Sequence, residues 1–352
     1  MYLSPVAHVA TNTTIRRVRS LPVPGTITVH LNELVEAKDI IGEAEFAPRH
    51  QFIDIAKGLK IPASEVPRYL KHERGDRVEE GELIAGPAGF PRRSIRAPAD
   101  GRIAALTNGM ILFEIRQDPY LLSAGFPGEV VGTDGLQSVT IENTGALVQG
   151  VWGNGQEDIG VMRIVGEGPR DRLLTDQLDV ELRGAVLVAG MCDHPAPLQQ
   201  ASDISVRGII LGGLSSDLIP IAESLSYPIV VIDGFGSVPL NQAAFELLNE
   251  NKGRDAALDA RPAEPFEQHR PEVIIPLPMT NIADLPEDLV ALAPGVRVRV
   301  TRRPNSSEVG VVEEILEKTV SYPSGILARS ARVDLELVGS TNVPLANLEI
   351  LQ

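Results

Sequence analysis

The chain contains a single cysteine, Cys192, among 352 residues. An internal disulfide is excluded, as is any zinc or iron–sulfur site that draws several thiolates from this chain. Aromatic residues make up only 4% of the sequence, too few to build the stacking platforms that hold single-stranded nucleic acid. Positive charge is also in deficit, with 32 Lys and Arg against 47 Asp and Glu and a formal net charge of −15. Such a body repels polyanions over about a Debye length, roughly 8 Å at physiological ionic strength, so nucleic acid is not the expected partner. No window approaches the roughly 18 apolar residues that a membrane helix needs. Met1 to Ser20 carries Arg16, Arg17 and Arg19 and lacks the unbroken apolar stretch of a signal peptide. These absences lead to the expectation of a cytoplasmic protein without membrane contact. The six histidines never fall at helical metal-ligand spacing, and neither a complete dinucleotide fingerprint nor a P-loop lysine is present. No metal, cofactor or catalytic set is expected.

What the sequence does contain is material for several packed cores, since 43% of residues are hydrophobic and the length exceeds one ordinary domain. Its 32 glycines and 27 prolines are spread between short Val, Ile and Leu runs. This is the punctuation of a multi-domain, β-rich α+β chain with many tight turns. An N-terminal arm (1–20) precedes a first module (21–120) with a helical insertion at 51–70. In that insertion Phe52, Ile55 and Leu59 follow helical spacing and Ser64 offers an N-cap.

The first module echoes itself. Leu34-Val-Glu-Ala-Lys-Asp-Ile-Ile41 aligns with Arg77-Val-Glu-Glu-Gly-Glu-Leu-Ile84, and a glycine turn ahead of a β-branched residue recurs at Gly25, Gly101 and Gly128. Repeated turn chemistry at strand starts predicts a barrel made of similar halves. Gly75-Asp76-Arg-Val78-Glu-Glu-Gly81-Glu-Leu-Ile84, followed by Ala97-Pro98-Ala-Asp100-Gly101-Arg-Ile103, resembles the biotinyl/lipoyl-type barrel-sandwich hybrid, which also occurs as a non-carrier module of RnfC type. Carriers of that fold have a modifiable lysine between the two motifs. Here Gly86 to Ser94 has none, and arginine is no substitute as an acyl acceptor. The resemblance therefore implies a scaffold.

A further β segment (121–164) is expected to complete or cap the barrel, with Trp152 either a ligand shelf or a buried anchor beside a tight turn. Residues 165–262 change character. Ala185–Ala189, Gly208–Leu211 and Pro228–Ile232 are continuous apolar runs separated by helical segments, the pattern of a parallel α/β domain covered on both faces. A Pro-rich linker (263–292) carries one strand, Val273-Ile-Ile-Pro-Leu277, placed at a sheet edge because of its proline. Residues 293–352 alternate strictly around Gly295–Thr301 and Ala331–Leu337 and are similar, near Gly310, to the KOW-type SH3-like barrel of transcription and translation proteins.

Three sets of candidate residues follow. In an open parallel sheet, ligands bind beyond the carboxyl ends of the strands. Gly212, Gly213, Ser215, Ser216, Asp233, Gly234, Gly236 and Ser237 lie there and offer backbone N–H groups and hydroxyls to a small anion, or else serve turns and caps. Cys192, beside Asp193 and His194, is a nucleophile only if thiol and imidazole meet, and neighbours on an extended segment point apart. Arg297, Arg299, Arg302 and Arg303 form a basic stripe for a protein partner, or one neutralised by nearby glutamates. The function expected is a non-enzymatic binding, scaffold or assembly protein that self-associates or joins a larger complex. The alternatives are a small-anion or metabolite-binding enzyme or accessory subunit using the middle domain, and a transcription- or translation-associated protein.

Overall fold

A computed structural model describes residues 3–262, 269–277, 289–301, 308–336 and 338–351. The chain is β-rich, with several sheets whose strand paths stay open among these residues. No closed barrel of strands forms there, either in the first module or at the C-terminus. Among the described residues, no helix is long and apolar enough to cross a membrane.

The backbone is an 11-stranded sheet. At its centre the strands Glu157–Ile164, Ala185–Cys192, Gly208–Leu214 and Ile229–Phe235 run parallel in sequence order. Every residue of the middle two is buried, because both faces are covered. Alternation divides the side chains. Leu187, Leu211 and Val231 meet Leu198 and Ala201 of the Pro195–Asp203 helix and Ala222 of the Ile219–Glu223 helix. Val186, Ile210 and Val230 meet Ala244, Leu247 and Leu248 of the Gln242–Glu250 helix, whose N-cap Asn241 accepts a hydrogen bond from Ala244 N at 2.9 Å. Strand Glu272–Pro276 is internal, paired with Asp255–Asp259 on one side and Ser138–Gln149 on the other. The edge position expected for it is corrected. Its proline is the last strand residue, where the loss of one donor is tolerated.

Residues 1–20 do not form a free arm where they are described. Val9–Ser20 pairs along Ser138–Gln149, and Leu3–Ala7 enters the 7-stranded C-terminal sheet beside Leu348–Leu351. The helical insertion at 51–70 begins later than expected, as a short α-helix Ile55–Leu59 and a 3-10 helix Ala63–Arg68, the second capped at Pro62 and not at Ser64. Arg49–Asp54 is a strand paired with Met110–Ile115, so Phe52 lies on a sheet apart from Ile55 and Leu59. Asp54 starts the helix only at Ile55, by accepting a bond from Lys57 N at 2.8 Å.

The echo in the first region is a structural repeat. Glu36 N donates to Asp39 Oδ2 (2.7 Å) and Glu79 N to Glu82 Oε2 (2.9 Å). One turn earlier His30 N donates to Glu33 Oε2 and Glu73 N to Asp76 Oδ2. Val130 N then bonds Glu33 O as Ile103 N bonds Asp76 O. The two copies are nested, the second lying inside the first. Gly101 and Gly128 occupy matching places, where a Cβ would fall 2.2 Å from Glu114 O and 2.5 Å from Glu142 O, so only glycine permits the strands to approach there.

Candidate functional site: a cleft on the Glu157–Ile164 strand

The strand-end residues expected to cradle an anion are arranged for packing. A Cβ on Gly212 would lie 2.1 Å from Leu240 N, and one on Gly213 would lie 2.3 Å from Val238 O. The 236–240 backbone thus rests directly on these glycines and occupies the space above them. Asp233 is buried with Asn241 N donating to its Oδ2 (2.7 Å), while Ser215 Oγ is taken by Asp217. Asp193 pairs with Arg172 at 2.9 Å. Ser216 and Ser237 are exposed on the flanking turns, and Gly234 and Gly236 carry the chain round from the strand into the covering segment. Carboxylates therefore crowd the place where a phosphate would have to sit.

Cys192 donates its thiol hydrogen to His194 O (3.3 Å), so the sulfur faces a carbonyl. Burial pushes the thiol up to about 11, and neighbouring Asp193 adds to this. Trp152 is a packing residue, with its ring edge-on to Phe235 at 6.0 Å between centroids.

Arg299 does not belong to an exposed stripe. It is 1% exposed, with Nη1 2.9 Å from Asp233 Oδ1 and 2.7 Å from Ile232 O, and Nε and Nη2 on Glu349. Strand alternation puts Arg297 and Arg299 on one face, but that face is covered at Arg299 by the carboxyl end of the parallel sheet. Arg297 remains exposed beside Glu336. Arg302 and Arg303 lie outside the described residues. Burial pushes the Asp233 carboxyl up against the opposing pull of Arg299, whereas Arg299 and Arg270 hold Glu349 below the usual carboxylate range despite its burial. The cluster is a clamp between the C-terminal sheet and the parallel sheet.

An open concave surface among the described residues lies elsewhere, along the Glu157–Ile164 strand. Three adjoining cavities share Glu157 or Asp158. At one end Arg17 binds Glu272 through two bonds of 2.7 Å, and Arg19 and Arg261 both reach Glu157. Arg261 also holds Asp259 below its ordinary range although burial works against this. In the middle Lys38 comes within 3.5 Å of Asp158, and Arg207 Nη1 lies 3.0 Å from both Asp158 oxygens. At the far end a cavity of about 380 Å³ opens at the amino ends of the parallel strands, lined by Arg183, Arg207, Ser202, Ser205 and Ser226.

Arg17, Arg19, Lys38, Arg183, Arg207 and Arg261 outnumber the carboxylates of Glu157, Asp158, Asp259 and Glu272 along this cleft. It is a basic island in an acidic protein. Sequence reasoning missed it because its members come from five separated segments. One supporting residue, Asn154, had a legible signal in the loop Trp152-Gly-Asn-Gly155. Its side chain donates to Ala222 O and Tyr227 O and accepts from Ile229 N, fixing the turn that carries Ser226. Among the described residues, no three His, Cys, Asp or Glu side chains gather to hold a metal ion. In comparisons with known proteins, the sequence matches no family and no curated protein.

Proposed function

We propose that this chain is a non-enzymatic assembly protein of the cytoplasm, in which the nested β-modules associate with a second copy or with the subunits of a larger complex. The observation that carries this reading is a set of three open sheet edges, each bearing an exposed apolar side chain. Strand Arg49–Asp54 presents Phe52 (69% exposed), strand Leu34–Val35 presents Leu34 (78%), and strand Tyr120–Ser123 presents Leu121 (53%). An open edge offers unpaired N–H and C=O groups, and solvent-facing apolar residues there favour pairing with another chain.

The repeated turns support a barrel-sandwich hybrid of non-carrier type, and the antiparallel strands after Arg297 support an SH3-like module; both serve as docking pieces, by analogy of fold. Burial of Arg299 removes one phosphate contact from the transcription or translation reading. Size-exclusion chromatography with light scattering over a concentration series tests the proposal. A mass above one chain is expected, reduced by Phe52→Lys and Leu121→Lys. A strict monomer that captures no partner from its own cell extract would overturn it.

A further inference from the structure

We infer that the cavity at the amino ends of the parallel strands binds a small hydroxylated phosphate monoester, of the sugar-phosphate class. This inference is independent of the assembly reading. The cavity measures about 380 Å³, within the range of small-molecule sites, and lies at the amino ends of the parallel strands. Four of its polar side chains are uncommitted. Among the described residues, the guanidinium of Arg183 and the hydroxyls of Ser202, Ser205 and Ser226 have no protein partner. Arg207 spends only Nη1 on Asp158, which leaves Nε and Nη2 to face a ligand. Gly160 makes room for this arrangement, since a Cβ there would stand 2.9 Å from Arg207 Cβ.

Ser205 adds an observation of a different kind. It follows the Pro195–Asp203 helix with Ser205 N bonded to Ser202 O and Val206 N to Ala201 O, the pairing that closes a helix with a left-handed residue. That residue is usually glycine, yet here a serine holds φ 60°. A side chain is kept at a conformational cost where its hydroxyl lines the cavity.

The pair of guanidinium groups, and not net charge, decides between a neutral sugar and an anion. Two helix ends approach this edge, each contributing at most about half a negative charge. Arg183 and Arg207, less Asp158, leave one positive charge in the lining, which the helix ends about balance, so an anion is favoured by direct contact with two guanidinium forks that can hold a phosphate bidentately. The phosphate is placed between Arg183 and Arg207, and the serines and Asp158 take the hydroxyls. The Tyr227 hydroxyl is committed to Leu198 O, so the cavity presents no free phenol to a base.

The test is calorimetric titration of the full chain with ribose 5-phosphate, glucose 6-phosphate, the free sugars and inorganic phosphate. Sugar phosphates are expected to bind about tenfold or more tighter than either half alone, and Arg183→Gln to weaken them by a similar factor. Ser205→Gly separates binding from folding, because it relieves the left-handed strain. It is expected to keep or raise the melting temperature while weakening the ligand. No binding at millimolar sugar phosphate, equal binding of inorganic phosphate, or unchanged affinity in Arg183→Gln would each overturn the inference. These outcomes leave the oligomer mass untouched, so the two readings fail separately.

Discussion

Arg299 of the C-terminal sheet and Asp233 at the end of a parallel strand meet at 2.9 Å, with the arginine 1% and the aspartate 0% exposed at the side chain. Glu349 completes the clamp on the other side of the guanidinium, and Arg270 reaches its second oxygen at 2.5 Å. The pairing ties together residues 66 positions apart. Replacing Arg299 with Met takes the shared cation from two buried carboxylates, although Arg270 stays on Glu349 and Asn241 on Asp233, and a loss of about 3–5 kcal/mol is expected. Urea unfolding monitored by circular dichroism measures it. A loss below about 1 kcal/mol would show that the clamp adds nothing.

Acid should weaken the fold in a defined direction. Glu349 and Asp259 have carboxyls held below the ordinary range, so each contributes stability above the unfolded value, near 4, that is lost as pH falls through the folded value. Asp233, pushed up by burial, acts with the opposite sign, its contribution being lost as pH rises. Glu114, Asp134 and Asp217 are also held low, so with five depressed carboxyls against one raised, unfolding free energy is expected to fall below about pH 4. Glu349→Gln should flatten that slope in a series of denaturant titrations across pH.

At alkaline pH the sign reverses for Cys192. Its thiol is raised to about 11, so its contribution is complete below the unfolded value near 8.5 and declines as pH climbs towards the folded one. The buried thiol is expected to react slowly with Ellman's reagent at pH 8 and promptly in denaturant. Fast reaction in the native state would mean that the 192–194 turn opens readily.

Gly213→Ala separates packing from ligand binding at the carboxyl ends of the strands. Its Cβ would meet Val238 O at 2.3 Å, a clash with backbone that no side-chain rotation relieves. A loss of about 1–3 kcal/mol or more is expected in chemical unfolding. The same substitution should leave sugar-phosphate affinity unchanged, because the cavity lies at the opposite ends of these strands.

Local pattern was enough to locate much of the chain's secondary structure. Ala185–Ala189 and Pro228–Ile232 read as buried strands because both neighbours along the chain are apolar, and residues 185–192 and 229–235 are strands. The repeat was visible at Val35 and Val78, and at Ile41 and Ile84, since all four are core positions with the same turn between them. Phe52 was misplaced because its helical spacing to Ile55 and Leu59 bridges a boundary that Asp54 sets by capping. Strand Val273–Leu277 was misjudged because a proline at a strand's end and one at a sheet's edge look alike in sequence.

Sequence by itself determined charge, the scarcity of thiols and aromatics, and the turns, because these depend on residue identity and on neighbours along the chain. Only the tertiary structure decided which polar groups are spent and which are free. Arg299 looked like a surface cation, but a strand's outward face is outward only until another sheet covers it. Gly212 and Gly213 looked like a cradle for an anion, but the 236–240 backbone fills the space above them. Arg183, Arg207, Ser205 and Ser226 carried no shared motif, since the parallel strands bring their starting ends together while the chain keeps them apart.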